Sequence, residues 1–177
     1  LNGARWVGVK GLFRMSELPP APAVEAYRSG VPGLDEHYRL CRGDFCVITG
    51  IPGHGKSTFV NELACQMALR HGWTTAFASF EQDPLGDHRR ALRTWFNRRP
   101  ETEQEPDELA RADMWIDRHF SFIVPSEDED SDLMWLLEMA AASVIRHGVD
   151  MLVVDPWNEL DHAKPRDQTL TEYVGWA

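Results

Sequence analysis

The 177-residue chain has little of what several protein classes require. It has no apolar run long enough to cross a bilayer; the richest, LMWLLEMAAASVI (133–145), is short and carries Glu138. Its first residues, LNGARWVGVKG, lack the apolar stretch of a signal peptide. They also lack an initiator Met, so the chain is expected to be a piece of a longer protein. The three cysteines, Cys41, Cys46 and Cys65, form no CxxC pair and fit reduced thiols in a cytosol-like compartment. Basic charge is scarce: 18 Lys and Arg stand against 28 Asp and Glu, for a net charge of −10. That excludes a generally basic nucleic-acid coat, though not a few basic residues lining a channel.

What is present is an ordinary globular composition, 43% hydrophobic and 26% charged, with room for one sizeable core. Residues 16–32, SELPPAPAVEAYRSGVP, are proline-rich and aperiodic, so residues 1–32 read as a linker arm and 33–177 as the folded portion. From residue 33 strand and helix patterns alternate. DFCVITG (44–50), TTAFASF (74–80), FSFIVP (120–125) and DMLVVDP (150–156) read as strands. The apolar run of the last suits a strand covered on both faces.

Helices are expected at 56–71, near 85–98, at 107–118 and at 132–147. The first places Phe59, Val60, Leu63, Ala64, Met67 and Ala68 on one face, with Gly72 able to cap its end. The last starts at Ser131 or Asp132, where the acidic run SEDEDSD (126–132) closes on a cap. HRRALRTWFNRR (88–99) interleaves basic and aromatic residues, as nucleic-acid binders do. Leu85, Leu92, Trp95 and Phe96 nevertheless share one helical face, so the reading is a core-packed helix with a solvated arginine face. The alternation predicts an α/β fold with a parallel sheet.

GIPGHGKST (50–58) satisfies G-x-x-x-x-G-K-[ST] between an apolar strand and an amphipathic helix, the context that this phosphate-binding loop needs. Glycines let successive N–H groups curl inward, and the helix start adds its positive dipole end. Nucleotide contacts are therefore expected from Gly50, Pro52, Gly53, His54, Gly55, Lys56, Ser57 and Thr58, with no individual role for His54. Lys56 brings charge to the β and γ oxygens and Ser57 a hydroxyl for Mg²⁺. Asp155, closing an apolar strand before Pro156, is the second candidate Mg²⁺ ligand. Many motor ATPases place a catalytic Glu directly after that Asp; here the position is Pro156. Glu81, at the end of the second strand, is preferred as the catalytic base over Glu159, which lies in the loop after Asp155.

VPGLDEHYRLCRGDFCVITGIPGHGKSTFVNEL, GWTTAFASFEQDP and VDMLVVDPWNELDHAKPRDQTLTEYV together resemble the helicase half of toprim primase–helicases, the Twinkle-like and phage-type members of the DnaB-like group. The resemblance spans about residues 30 to 174, and SFE with DPWNELDH is more specific than the phosphate loop alone. It implies a RecA-like P-loop NTPase core, a mostly parallel sheet flanked by helices and incomplete at its C-terminal end. It implies a replicative DNA helicase motor that hydrolyses ATP with Mg²⁺ to translocate on single-stranded DNA. It further implies a homo-oligomeric, hexameric ring, an upstream primase half, and a place in a bacterial or phage-infected cytoplasm or an organelle matrix. Glu81 matches the glutamate that activates water. Asn158, His162, Lys164 and Arg166 fall in a loop that matches one lining the DNA channel.

A sensor strand, implied to lie between the phosphate-loop strand and the Asp155 strand, an arginine finger and further DNA loops are implied beyond Ala177. The middle of the sheet is therefore expected to be missing. Three other readings stay open. One is a RecA- or KaiC-type ATPase of recombination or signalling, which should lack DPWNELDH. Another is a small-molecule P-loop kinase, which would need an arginine-rich lid. The last is a nucleotide-binding fragment without turnover.

Overall fold

In the computed structural model, residues 14–17, 24–125 and 131–157 are described. A two-residue antiparallel pair, β1 (Ala26–Tyr27) with β2 (Leu40–Cys41), precedes α1 (Lys56–His71) and β3 (Thr75–Ser79). A π-type turn, Pro84–His88, leads into α2 (Arg89–Asn97). Then come α3 (Pro106–His119), β4 (Phe120–Ile123), α4 (Leu133–His147) and β5 (Met151–Asp155). The helix ends follow local chemistry. Gly72 and Gly148 close α1 and α4 in the left-handed region, at φ 68° and 65°, where a Cβ would be strained. Asp132 caps α4 by accepting from Trp135 N at 2.8 Å. Pro106 opens α3 inside a Glu105–Glu108 capping box.

The parallel sheet runs β4-β3-β5. From β3 the chain steps outward to β4 and then back across β3 to β5. Right-handed crossovers in opposite directions put their helices on opposite faces of the sheet. The packing agrees. Phe77 of β3 is buried with Ala64, Cys65 and Ala68 of α1, Leu92 of α2 and Ile116 of α3. Ala76 and Ala78 face the other way, against Leu136 of α4. Burying a side chain of this size is worth about 2–3 kcal/mol. A third cluster, Leu40, Leu63, Met67 and Trp73, seats the β1–β2 pair beside α1, with Tyr27 edge-on to Trp73 at 5.0 Å between ring centroids.

Residues 44–50 were expected to be a strand, and they are not one. A strand exists by pairing its backbone with a neighbour, and no described segment pairs with this one. Its apolar side chains stand in solvent: Phe45 is 86% and Val47 71% exposed. Among the described residues β5 is a sheet edge for the same reason; Val153 and Val154 pack on opposite faces as expected, while Leu152 is partly exposed.

The 85–98 helix also differs from expectation. Leu85 sits exposed in the π-type turn, and His88 takes the buried place ahead of Leu92. The arginine face is only partly left to solvent: Arg90 and Arg98 are exposed, while Arg93 is covered. Arg89 and Arg93 both bind Asp113 of α3, at 2.6 and 2.5 Å, Arg93 also binds Glu101, and Arg98 lies 4.0 Å over the Trp95 ring. Arg89, Arg93 and Arg98 of the basic–aromatic stretch are thus engaged by intramolecular contacts. None of the described helices is long and apolar enough to cross a membrane.

Candidate functional site

Side-chain parity along the two central strands builds the site. In β3, Phe77 points to the α1 face, so Thr75 and Ser79 do too. In β5, Met151 and Val153 pack on that face, which places Asp155 there as well. Ser79 and Asp155 are register partners. The carboxyl ends of β3 and β5 therefore meet under the start of α1, and Phe80 N donates to the Asp155 carbonyl at 3.1 Å.

Two positions separated by 98 residues close this edge: Ser57 Oγ donates to Asp155 Oδ2 at 2.6 Å. This brings the two candidate Mg²⁺ ligands together. Among the described residues no group of three or more His, Cys, Asp or Glu could hold a metal. A hydroxyl beside a carboxylate still suits Mg²⁺, a hard cation that takes one or two protein oxygens and completes its shell with phosphate and water.

The phosphate loop lies over the same edge. Ile51 accepts from His54 N at 3.3 Å, and Gly53 and Gly55 sit at φ 77° and 82°, where a side chain would be strained. Gly50 has no such requirement: an added Cβ would only touch the Lys56 side chain at 3.8 Å. α1 begins at Lys56 without a side-chain cap, so its first-turn N–H groups are available to an acceptor from outside the helix. Lys56 Nζ folds over the loop, donating to the carbonyls of Gly50 at 3.0 Å and Ile51 at 3.3 Å. Pro52, His54 and Thr58 are exposed on the loop and first turn.

β3 ends at Ser79, so Glu81, expected at the strand end, lies two residues past it, in the bend that leaves the carboxyl edge, and is exposed. The sequence reading missed His88, which is 98% buried beneath this edge and hydrogen-bonded to Ser79 Oγ at 2.7 Å. A histidine beside arginines gives no local sign of burial. Glu159, Asn158, His162, Lys164 and Arg166 lie outside the described residues.

A model of the AAA domain family matches residues 31–172. The chain is 34% identical over 155 residues to the Twinkle homolog protein, chloroplastic/mitochondrial, of Arabidopsis thaliana, covering 82% of this chain and 22% of that protein. It is 25% identical over 164 residues to a probable plasmid replicative DNA helicase of Chlamydia psittaci, covering 84% of this chain and 34% of that protein. The chain thus spans about a fifth to a third of the length of these relatives.

Proposed function

The chain belongs to the AAA domain family and has a DnaB-like, helicase-type nucleotide-binding core; from that premise we propose that it is the ATP-hydrolysing motor portion of a replicative DNA helicase. The observation that carries this reading is the Ser57–Asp155 hydrogen bond, which joins the phosphate-loop helix to the acid-bearing strand beside β3.

In this reading the loop amides and the α1 dipole receive the phosphates. Lys56 exchanges its two carbonyl partners for β and γ oxygens. Ser57 and Asp155 would hold Mg²⁺, which when bound neutralises charge on the phosphates. Glu81 orients a water in line with the γ-phosphate and accepts its proton, a task for a carboxylate at the edge rather than on the metal. Asn158, His162, Lys164 and Arg166 supply the DNA-contacting loop. The working protein is a homo-oligomeric ring, hexameric, on single-stranded DNA, with a primase half upstream. Its compartment is the cytoplasm or an organelle matrix.

The test uses the full-length protein. ATP hydrolysis should rise when single-stranded DNA is added, and Lys56→Ala should abolish it. Near-normal turnover by that variant sinks the assignment.

A further inference from the structure

His88 is the buried titratable group that the proposed chemistry does not use. Its ring is fixed between Phe77 of β3, at 4.8 Å between centroids, and Phe122 of β4, at 5.4 Å. Its Nε2 meets Ser79 Oγ at 2.7 Å, and Nδ1 is buried with no hydrogen-bond partner among the described residues. Burial lowers its pKa below the ordinary histidine value, against the opposing charges of Asp155, Asp87 and Asp83, which favours the neutral ring. A buried bare nitrogen is less costly as an acceptor than as an unmet donor. Nε2 therefore carries the proton and donates to Ser79.

The chain between the two partners returns on itself. It leaves β3 at Ser79, passes Glu81, and winds into the Pro84–His88 turn. Asp83 tightens that turn: its side chain accepts from Gly86 N, and its carbonyl accepts from Asp87 N at 2.9 Å and His88 N at 3.2 Å. The His88–Ser79 hydrogen bond then closes the loop 79–88, and Glu81 is carried inside it.

We propose that His88 is a positioning residue for Glu81, anchoring through Ser79 the closed loop that presents this carboxylate beside Asp155. The inference rests on the NTPase reading and deepens it. A carboxylate in an exposed bend just past a strand end has many rotamers and a mobile backbone. Tying the two ends of its loop to a rigid aromatic slot narrows both, and displacement of a catalytic group by about 1 Å costs on the order of a hundredfold in rate. Ser79 serves because it sits in the ladder opposite Asp155, so the anchor is referenced to the candidate metal ligand.

The experiment measures single-turnover hydrolysis and nucleotide affinity separately in the full-length protein. His88→Phe keeps the ring packing and removes the hydrogen bond; Ser79→Ala removes it from the other side with little disturbance to the core. Each should slow the chemical step about tenfold or more while the nucleotide Kd stays within about twofold. The double variant should be no worse than either single one, because both remove the same contact. His88→Gln, whose amide nitrogen reaches the position of Nε2, should restore most of the rate. Wild-type rates in Ser79→Ala, or additive losses in the double variant, overturn the assignment while leaving the NTPase reading intact. A purely structural role for His88 would show as a lowered melting temperature with an unchanged chemical step, and that also overturns it. Absence of hydrolysis by the unsubstituted protein overturns the NTPase reading, and this inference with it.

Discussion

Just before β5, the Asp150 carboxylate is engaged on both oxygens: Oδ1 accepts from Arg42 Nε at 2.9 Å and Oδ2 from the Thr74 backbone N–H at 3.1 Å. At the other end of the same strand, Asp155 accepts from the Ser57 hydroxyl at 2.6 Å. Arg42 also lies over the Tyr27 and Trp73 rings, at 5.3 and 5.5 Å, so the Asp150 end is tied to the β1–β2 pair. An acid held by a guanidinium and a main-chain donor has a fixed duty, binding neighbouring segments together. An acid whose neighbour is a small hydroxyl on a phosphate-loop helix can exchange that neighbour for a cation. On the proposed reading, the two ends of β5 separate structure from chemistry.

The largest expected effect is at the chemical end. Asp155→Asn should slow hydrolysis by the full-length protein on the order of a thousandfold. Its melting temperature should stay within about 2 °C of the parent, because no charged partner among the described residues is left unmet. A large fall in melting temperature with hydrolysis retained would erase the distinction between the two aspartates.

Glu81→Gln comes next. It keeps size and hydrogen bonding and removes charge, so the single-turnover rate should fall about a hundredfold with nucleotide affinity unchanged. Glu159→Gln should hydrolyse closer to normally. The reverse result would move the base to the loop after Asp155.

A third test moves to the α2–α3 buttress, which resembles the Asp150 end in being saturated. Hydrogen bonds from Arg93 first, and then Arg89, hold the Asp113 carboxyl well below its usual range. The folded state therefore binds that proton less readily than the unfolded chain. The resulting stability is present above the ordinary carboxylate pKa and is lost as pH falls through the folded value. Asp113→Asn should cost about 1–3 kcal/mol at neutral pH, by urea unfolding, and should flatten the acid limb below about pH 4. An unchanged acid limb would mean that this network does not carry the acid sensitivity.

The smallest effect is at Asp150 itself. Arg42 is half exposed, so its ion pair contributes little, and the Thr74 contact carries more of the effect. Asp150→Asn should lower the melting temperature by a few degrees, with hydrolysis close to the parent value at temperatures where both stay folded.

Local signals made much of the molecule legible. The phosphate loop, its helix, and the helix ends at Gly72, Asp132 and Gly148 are written in short spacings and caps, and the described structure has them. The strand patterns read at 74–80 and 150–156 were legible too; they form β3 and β5, which are neighbours in the sheet. Features that need a partner elsewhere were less legible. Arg93 looks solvated in sequence, yet its side chain is only 12% exposed because Asp113 lies opposite on another helix. Cys65 was outside the expected apolar face of α1 but is fully buried, its thiol pKa pushed up by burial, because α2 and α3 cover that side as well.

By itself the sequence determined which segments could be helix or strand, where phosphates could be received, and which acids stood at strand ends. Backbone propensity, capping and glycine conformations act within a few residues, so they can be read along the chain. Only the tertiary structure decided that Ser57 and Asp155 touch, that both oxygens of Asp150 are engaged while Asp155 meets a hydroxyl, and that His88 is buried against Ser79. It also decided that residues 44–50, strand-like in composition, form no strand among the described elements. A ladder, a buried polar contact and an ion pair each require a second group brought from far along the chain. That group's position is set by the packing of the whole sheet rather than by any local pattern.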